Sequence, residues 1–168
     1  MATGMVSDGE TPASGQQVIT ACAFIHHSFD GIKKVFLPKR SQTKKFLPGV
    51  YELPGGHINF GENIVAGLKR EILEEIGMPI TVGDPFFVFT YTNNIKGAHS
   101  IEVDFFATFA DSMNKITLNP HDHSEYGWFG EDELENALNK RNKNDPEFQA
   151  IKKGFLFLNG TYHNFGKP

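Results

Sequence analysis

Three acidic side chains fall within five positions of one another in the segment GLKREILEEIGMP, residues 67–79. On a helix, Glu71, Glu74 and Glu75 are i, i+3 and i+4 neighbours, so their carboxylates share one side. Each like-charged pair at that spacing costs about 0.2–0.5 kcal/mol when exposed, so the helix alone gains nothing from the cluster. A divalent cation such as Mg²⁺ or Mn²⁺ bound between the carboxylates would turn this repulsion into a net attraction, because these ions prefer carboxylate oxygens.

The helix that carries these acids has clear end signals. Asn63 is a good N-cap, and Gly77 with Pro79 just beyond it predicts that the helix ends near Ile76. An apolar stripe beside the acids would seat the helix on a sheet. The stripe consists of Ile64, Val65, Leu68, Ile72 and Ile76.

Apolar and alternating segments on both sides of the helix predict strands. VITACAFI and IKKVFLPKR are expected to form a hairpin around the turn HHSFDG, followed by the loop SQTKKFLPGV and the short extended piece YELP. FFVFTYT and HSIEVDFFATF are expected to pair around the turn NNIKG, and YGWF to add a short strand. Helices are predicted at EDELENALNK and PEFQAIKKGFLFL. The order indicates an α/β fold with the acidic helix between strands.

Length and composition limit the organisation of the chain. The 168 residues are enough for one domain, expected at residues 17–168. Residues 1–16 are rich in Gly, Ser, Thr and Pro and are expected to form a disordered tail. No apolar run approaches the roughly 18 residues of a membrane span. We therefore expect a soluble protein with no membrane partner.

Charge and cysteine content narrow the partners. A net charge of −4 argues against binding a nucleic-acid polymer. A basic group ahead of the glycines either contacts a small anion or is a solvated hairpin edge. Its members are Lys33, Lys34, Lys39, Arg40, Lys44 and Lys45. The single cysteine, Cys22, lies in an apolar run and is expected to be a buried, reduced thiol, which suits the cytoplasm.

The segment GGHINFGENIVAGLKREILEEIGM resembles the Nudix box when positions are counted from Gly56. The matching positions are Gly56, Glu62, Arg70-Glu71-Ile72, Glu74-Glu75 and Gly77-Met78. The one departure is Met78, where the family more often has a branched aliphatic residue. YELPGG and EYGWFGEDEL also look like flanking segments of the MutT-like branch, and the resemblance covers residues 17–140.

This resemblance implies a fold, a metal and a set of roles. The fold would be a mixed β-sheet sandwiched between α-helices, and the activity would be hydrolysis of a nucleoside diphosphate linked to another group. Mg²⁺ or Mn²⁺ would be bound by Glu71, Glu74, Glu75 and the Gly55 carbonyl. Arg70 and Glu62 would hold that arrangement together.

The resemblance leaves the general base open. Glu71 or Glu75 is placed for this role by family analogy, while some relatives use an acid from a later loop. In this chain, the later loop NPHDHSEYGWF offers Asp122, His123 and Glu125, each of which is equally explained as a solvated loop residue.

The substrate is less constrained than the fold. The leading expectation is a nucleoside triphosphate, ordinary or oxidised, cleaved to the monophosphate and pyrophosphate. Phe46 and Tyr91 are candidates for stacking on the base because they lie near loops, and Arg40 for contacting a phosphate or base edge.

Several alternatives stay open. LNPHDHSEYGWF resembles the corresponding loop of GDP-mannose mannosyl hydrolases, whose base matches His123, although the box of those enzymes is altered. A coenzyme A-specific branch is a minor option, because Lys45 and Leu53 depart from its pattern. A non-catalytic nucleotide sensor on the same fold is a further class. A homodimer is common among such proteins, but no residue indicates an interface.

Overall fold

The sheet begins with a hairpin of two strands, β1 (Gln17–Phe29) and β2 (Ile32–Arg40), in a computed structural model that describes residues 15–161. Asp30 and Gly31 form the turn with φ of 50° and 82°, the positive values that a two-residue type I′ turn requires. The prediction of a turn over HHSFDG was wrong in its first four residues. Residues 26–29 continue β1 because so tight a turn lets them pair with residues 32–35.

Four further strands complete a mixed sheet. Along the sheet the order is β4-β5-β1-β2-β6, with β3 paired to β1 beside this path. β1 and β5 run parallel, whereas the other pairs are antiparallel. The bounds are β3 (Gly55–His57), β4 (Ile80–Asn93), β5 (Ala98–Phe109) and β6 (His123–Phe129).

The acidic helix has the ends that its sequence predicts. α1 spans Ile64–Ile76, and the Asn63 side chain accepts hydrogen bonds from the first free backbone N–H groups. Gly77 ends the helix in a left-handed conformation with φ 69°, and its N–H donates to the Leu73 carbonyl. These caps fix where the acidic side chains leave the helix.

Helices cover both faces of the sheet, so the predicted α/β sandwich is confirmed. The α1 side chains of Leu68, Ile72 and Ile76 pack against one face in the first core cluster. A second cluster on the other face contains Phe24 of β1 and Phe155 of the C-terminal helix. Closing this second layer requires a glycine in that helix, because a Cβ at Gly154 would overlap the Phe24 ring.

The segment after β5 is more irregular than predicted. The expected helix EDELENALNK is reduced to a 3₁₀ turn at Glu131–Glu133 and a one-turn helix, α2 (Leu134–Ala137). It ends early because only Leu134 and Leu138 of this stretch are buried in the core, so no longer apolar stripe supports it. Another 3₁₀ turn covers Met113–Lys115, and the C-terminal helix α3 spans Pro146–Leu158, as predicted.

The two chain ends lie mostly outside the described residues. Residues 1–14 of the predicted tail fall there, whereas Gly15 donates to the Gly97 carbonyl and Gln16 accepts from the His99 N–H. No helix within residues 15–161 is long and apolar enough to cross a membrane.

A group of polar side chains is buried on the sheet face opposite α1. Cys22 of β1 pairs in register with Asp104 of β5, and Glu102 lies two residues earlier on the same side of β5. Burial, together with the charge of Glu147, raises the pKa of Asp104 well above its usual range. The folded protein therefore holds a proton here that an exposed aspartate would release.

Stability should consequently depend on pH through Asp104. In the unfolded chain Asp104 titrates near its ordinary value of about 3.9, so above that pH the folded state binds more protons and stability falls as pH rises. Asp104→Asn mimics the protonated side chain and does not titrate. With a chelator present, we expect urea unfolding to show a smaller loss of stability between about pH 5 and about pH 8 for this variant than for wild type. Equal losses would contradict the raised pKa.

Candidate functional site

Arg70 joins the acids of α1 to the loop that precedes the helix. Its Nε and Nη2 donate to the two Glu62 carboxylate oxygens at 2.9 and 3.0 Å, and Nη2 also donates to the His57 carbonyl at 3.0 Å. Nη1 donates to Glu71 at 2.6 Å and to Glu74 at 3.3 Å. One guanidinium thus sets the position of two predicted metal ligands relative to the loop.

Glu62 is held in its ionised form by this contact. The Arg70 side chain and the Asn59 N–H lower the pKa of Glu62 to about 2. Glu62 therefore stays an acceptor for Arg70 at any working pH.

Glu75 has the least compensated carboxylate of the three helical acids. Its Oε2 is buried and has no hydrogen-bond partner among the described residues. Burial and the charges of Glu52, Asp122 and Glu71 raise its pKa well above the usual range, although the Gly55 N–H donates to it. An orphaned carboxylate oxygen beside other acids and a backbone loop is the environment that a divalent cation fits.

The other two acids differ in exposure. Glu71 is half-buried, and burial raises its pKa although the Arg70 guanidinium opposes the shift. The Glu74 side chain is exposed. The three carboxylates thus form a gradient from solvent to interior along one side of α1.

The paired glycines bring the backbone against these acids. The extended piece YELP pairs with β2 as an isolated bridge between Lys39 and Tyr51, and the strand β3 is formed by the glycines themselves. A Cβ at Gly55, where φ is 152°, would overlap the Ala21 carbonyl, and a Cβ at Gly56 would overlap the Glu71 carboxylate. Only glycine allows both approaches.

A carboxylate behind the site was not singled out from the sequence. Glu52 accepts two hydrogen bonds from Arg40 Nη1, at 2.9 and 3.0 Å, and His123 Nε2 lies 3.1 Å from its Oε1. Burial opposes its ionisation, but Arg40 and His123 lower the pKa of Glu52 overall. The usable signal was its position three residues before Gly55.

Arg40, predicted to contact substrate, is engaged inside the protein. Besides the contacts to Glu52, its Nε donates to the Phe46 carbonyl at 3.0 Å. Phe46 in turn lies beside Tyr91 of β4, with ring centroids 6.1 Å apart and planes 12° from parallel. The structure therefore brings the two predicted stacking residues together, and Arg40 fixes the backbone of one of them.

The later loop contributes to the site unevenly. The Asn119 N–H donates to the Glu75 carbonyl at 2.8 Å, which fastens the loop to the end of α1. Asp122 forms an ion pair with Lys44 and raises the pKa of Glu75 by its charge. Glu125 is half-exposed and is held by Lys39 and Tyr51 rather than by an α1 acid. Of the two acids, Asp122 is therefore the one that acts on the helical cluster.

The glycine contact makes a direct prediction about metal affinity. In Gly56→Ala, the new Cβ should displace the Glu71 carboxylate, and we expect Mn²⁺ affinity to fall at least about tenfold, or about 1.4 kcal/mol. Titration followed by electron paramagnetic resonance would measure it. Gly83→Ala on β4 is the matched control, because the nearest atom to its new Cβ would be the Phe106 carbonyl oxygen, at 3.4 Å. An affinity equal to wild type in Gly56→Ala would remove Glu71 from the ligand set.

Comparison with known proteins gives a consistent family. Residues 18–150 match the family model of the NUDIX domain. The chain is 38% identical over 74 residues to an 8-oxo-dGTP diphosphatase of Buchnera aphidicola subsp. Acyrthosiphon pisum, covering 44% of this chain and 54% of that protein. It is 41% identical over 46 residues to the m7GpppN-mRNA hydrolase NUDT17 of Xenopus laevis, and this match covers 27% of this chain and 16% of that protein.

Solved structures share the fold. A MutT protein from Methanosarcina mazei Go1 superposes with a TM-score of 0.66 at 22% identity, covering 89% of this chain and 97% of that one. The curated relatives, in contrast, are matched over only 16% to 54% of their own length.

Proposed function

This chain belongs to the Nudix family, and we propose that it is a divalent-metal-dependent pyrophosphohydrolase that cleaves a nucleoside triphosphate, ordinary or oxidised, to the monophosphate and pyrophosphate. The observation that carries the proposal is the orphaned, buried carboxylate oxygen of Glu75 beside Gly55, next to two further acids positioned by Arg70.

The residues present fit a Mg²⁺ or Mn²⁺ ion. Glu71, Glu74, Glu75 and the Gly55 carbonyl would hold it, and it would supply charge neutralisation at phosphate oxygens and acidify a water. Arg70 keeps two of these carboxylates in place before substrate binds.

A carboxylate must also accept the proton of the attacking water. Glu71 and Glu75 both stay candidates for this step, because Glu71 already accepts from Arg70 and Glu75 Oε2 is the oxygen that the metal ion would take. Asp122, His123 and Glu125 are the alternatives from the later loop. Among them the contacts favour Asp122, since His123 faces Glu52 and Glu125 faces Lys39.

The base would bind at Phe46 and Tyr91. Their rings lie nearly parallel, and stacking of a purine or pyrimidine on an aromatic face does not require a particular base. A triphosphate is supported by the 38% identity over 74 residues to an 8-oxo-dGTP diphosphatase. The reduced, buried Cys22 supports a cytoplasmic location for such an enzyme.

Nucleotide-sugar hydrolysis of the GDP-mannose type is the second candidate. It is favoured by one observation, the unpartnered Nδ1 of buried His123 in the loop that resembles those enzymes. The complete set of box acids favours attack at phosphorus instead, and it also argues against a non-catalytic sensor.

Removing one charge from the helical cluster should separate an enzyme from a binding protein. We expect Glu74→Gln or Glu75→Gln to lower Mg²⁺-dependent turnover at least about a hundredfold while the melting temperature stays near that of wild type. Glu135→Gln is the control, because the Glu135 side chain is exposed on α2 and pairs with Lys143, away from the helical cluster. Unchanged hydrolysis in both cluster variants would reject the site.

A substrate panel distinguishes the proposed reaction from its alternative. Nucleoside triphosphates, oxidised nucleotides, nucleotide sugars, ADP-ribose and coenzyme A should be compared by kcat/KM with detection of phosphate, pyrophosphate and sugar. We expect pyrophosphate release from a triphosphate to be fastest. A clear preference for GDP-mannose would replace the proposed reaction with the second candidate.

The stacking surface can be tested by its effect on KM. Base stacking on an aromatic ring contributes about 1–3 kcal/mol to binding. Phe46→Ala should therefore raise KM by a factor between about 5 and about 100, with little change in kcat. Phe157→Ala is the matched control, because this ring lies on α3 against Phe86 and Phe106. A KM equal to that of wild type in Phe46→Ala would place the base elsewhere.

A further inference from the structure

A second group of potential metal ligands lies between the parallel strands β1 and β5, away from the α1 acids. The thiol of Cys22 and one carboxylate oxygen each of Glu102 and Asp104 lie within 4.8 Å of one another. All three residues are buried, with exposures of 6%, 5% and 0%. We call these three side chains the β1–β5 cluster.

Register explains why the cluster forms. Cys22 is paired with Asp104 across the two strands, and Thr20 is paired with Glu102. Residues two apart on a strand point to the same face, so all four side chains meet on the face opposite α1. The hydroxyl of Thr20 adds a neutral oxygen beside the cluster.

Neither of the two buried arginines nearby, Arg40 and Arg141, forms an ion pair with the acids of the β1–β5 cluster. Neither Asp104 oxygen accepts a hydrogen bond from a donor within residues 15–161. Asp104, Glu147 and Glu52 raise the pKa of Glu102 by their charge, while Arg141 is near enough to interact with Glu102 electrostatically. The two buried arginines nearby are already used.

The contacts of those arginines account for the neighbouring acids only. Arg40 pairs with Glu52, with Nη1 and Oε1 2.9 Å apart. Arg141 pairs with Glu147, with Nη2 and Oε2 2.7 Å apart, and also with Asp145. The cluster is left with negative charge to neutralise.

Protons or a cation can neutralise it. Burial raises the pKa of Cys22, Glu102 and Asp104 well above their ordinary values, and each is raised further by neighbouring acids. Without a cation the three groups therefore keep their protons. In that protonated state Glu102 can donate to Asp104 and Cys22 to Glu102, but burying three such polar groups together remains costly.

We propose that Cys22, Glu102 and Asp104 form a second metal site, selective for a borderline divalent cation of the Zn²⁺ type. A sulfur ligand disfavours Mg²⁺ and favours Zn²⁺ or Co²⁺, whereas the all-oxygen site on α1 has the opposite preference. Tetrahedral zinc with Zn–S of about 2.3 Å and Zn–O of about 2.1 Å separates its ligand atoms by about 3.6 Å. Small side-chain rotations would bring the ligand atoms, now up to 4.8 Å apart, to that separation.

The position of this site gives it a structural role. It joins the only parallel pair among the described strands, and Cys22 is also paired in register with Gly55 on the opposite edge of β1. A cation there would fasten the strand against which the predicted catalytic glycine loop rests.

Cobalt provides a selective test because the chain has one cysteine. A thiolate-to-Co²⁺ charge-transfer band in the near ultraviolet can arise only from Cys22, even when Co²⁺ also occupies the carboxylates of α1. We expect wild type to develop this band with one equivalent per chain, and Zn²⁺ to displace it. Cys22→Ser should show no band. Glu102→Gln or Asp104→Asn should lower the Co²⁺ affinity, measured by titration of this band, at least about tenfold.

Two controls separate this site from the proposed activity. Glu74→Gln should keep the band while losing Mg²⁺-dependent hydrolysis, since it alters only α1. Circular dichroism on each variant checks folding, and Glu102→Gln tests the site with the thiol intact if Cys22→Ser unfolds. Folded wild type that shows no band at excess Co²⁺ yet retains Mg²⁺-dependent hydrolysis would overturn the second site and leave the proposed function standing.

Discussion

The uncompensated negative charge of buried carboxylates is the constraint on which the rest of this structure depends. Glu75 is buried beside Glu52 and Asp122, and one of its oxygens has no hydrogen-bond donor within residues 15–161. Removing a charge from water without a partner costs far more than a surface pair returns, so each acid needs a guanidinium, a proton or a metal ion. The protein uses arginine for Glu52, Glu62 and Glu147 and leaves Glu75 to the predicted cation.

Much of this arrangement could be predicted from local sequence. The caps of α1, the spacing of its acids and the strands on either side follow from short-range patterns, and the Nudix family follows from the box. The tight turn at Asp30 and Gly31 was predicted in kind but placed too early, because nothing in HHSF indicates that strand pairing continues to the last residue. The helix caps, the acid spacing and the strands could be predicted because they depend on residues a few positions apart in the sequence.

What could not be predicted depends on contacts between distant segments. Nothing in YELP singles out Glu52. Its role depends on contacts with Arg40 and His123, which lie 12 and 71 positions away in the sequence. The alternation in SIEVDFF shows that Glu102 and Asp104 share a face, but not that this face is covered. Similarly, α2 is short because, of the segment EDELENALNK, only Leu134 and Leu138 are buried in the core.

Glu52 also links the two halves of the proposed active site. Arg40 holds Glu52 through Nη1 and the Phe46 carbonyl through Nε, so one guanidinium couples the stacking ring to the carboxylate that raises the pKa of Glu75. Because the guanidinium is planar, contacts from two of its nitrogens to two partners fix direction as well as distance. A lysine at position 40 could neutralise Glu52 but could not reach both partners in a fixed plane. In the proposed active site, Arg40 would therefore set the distance between base and phosphates without touching the substrate.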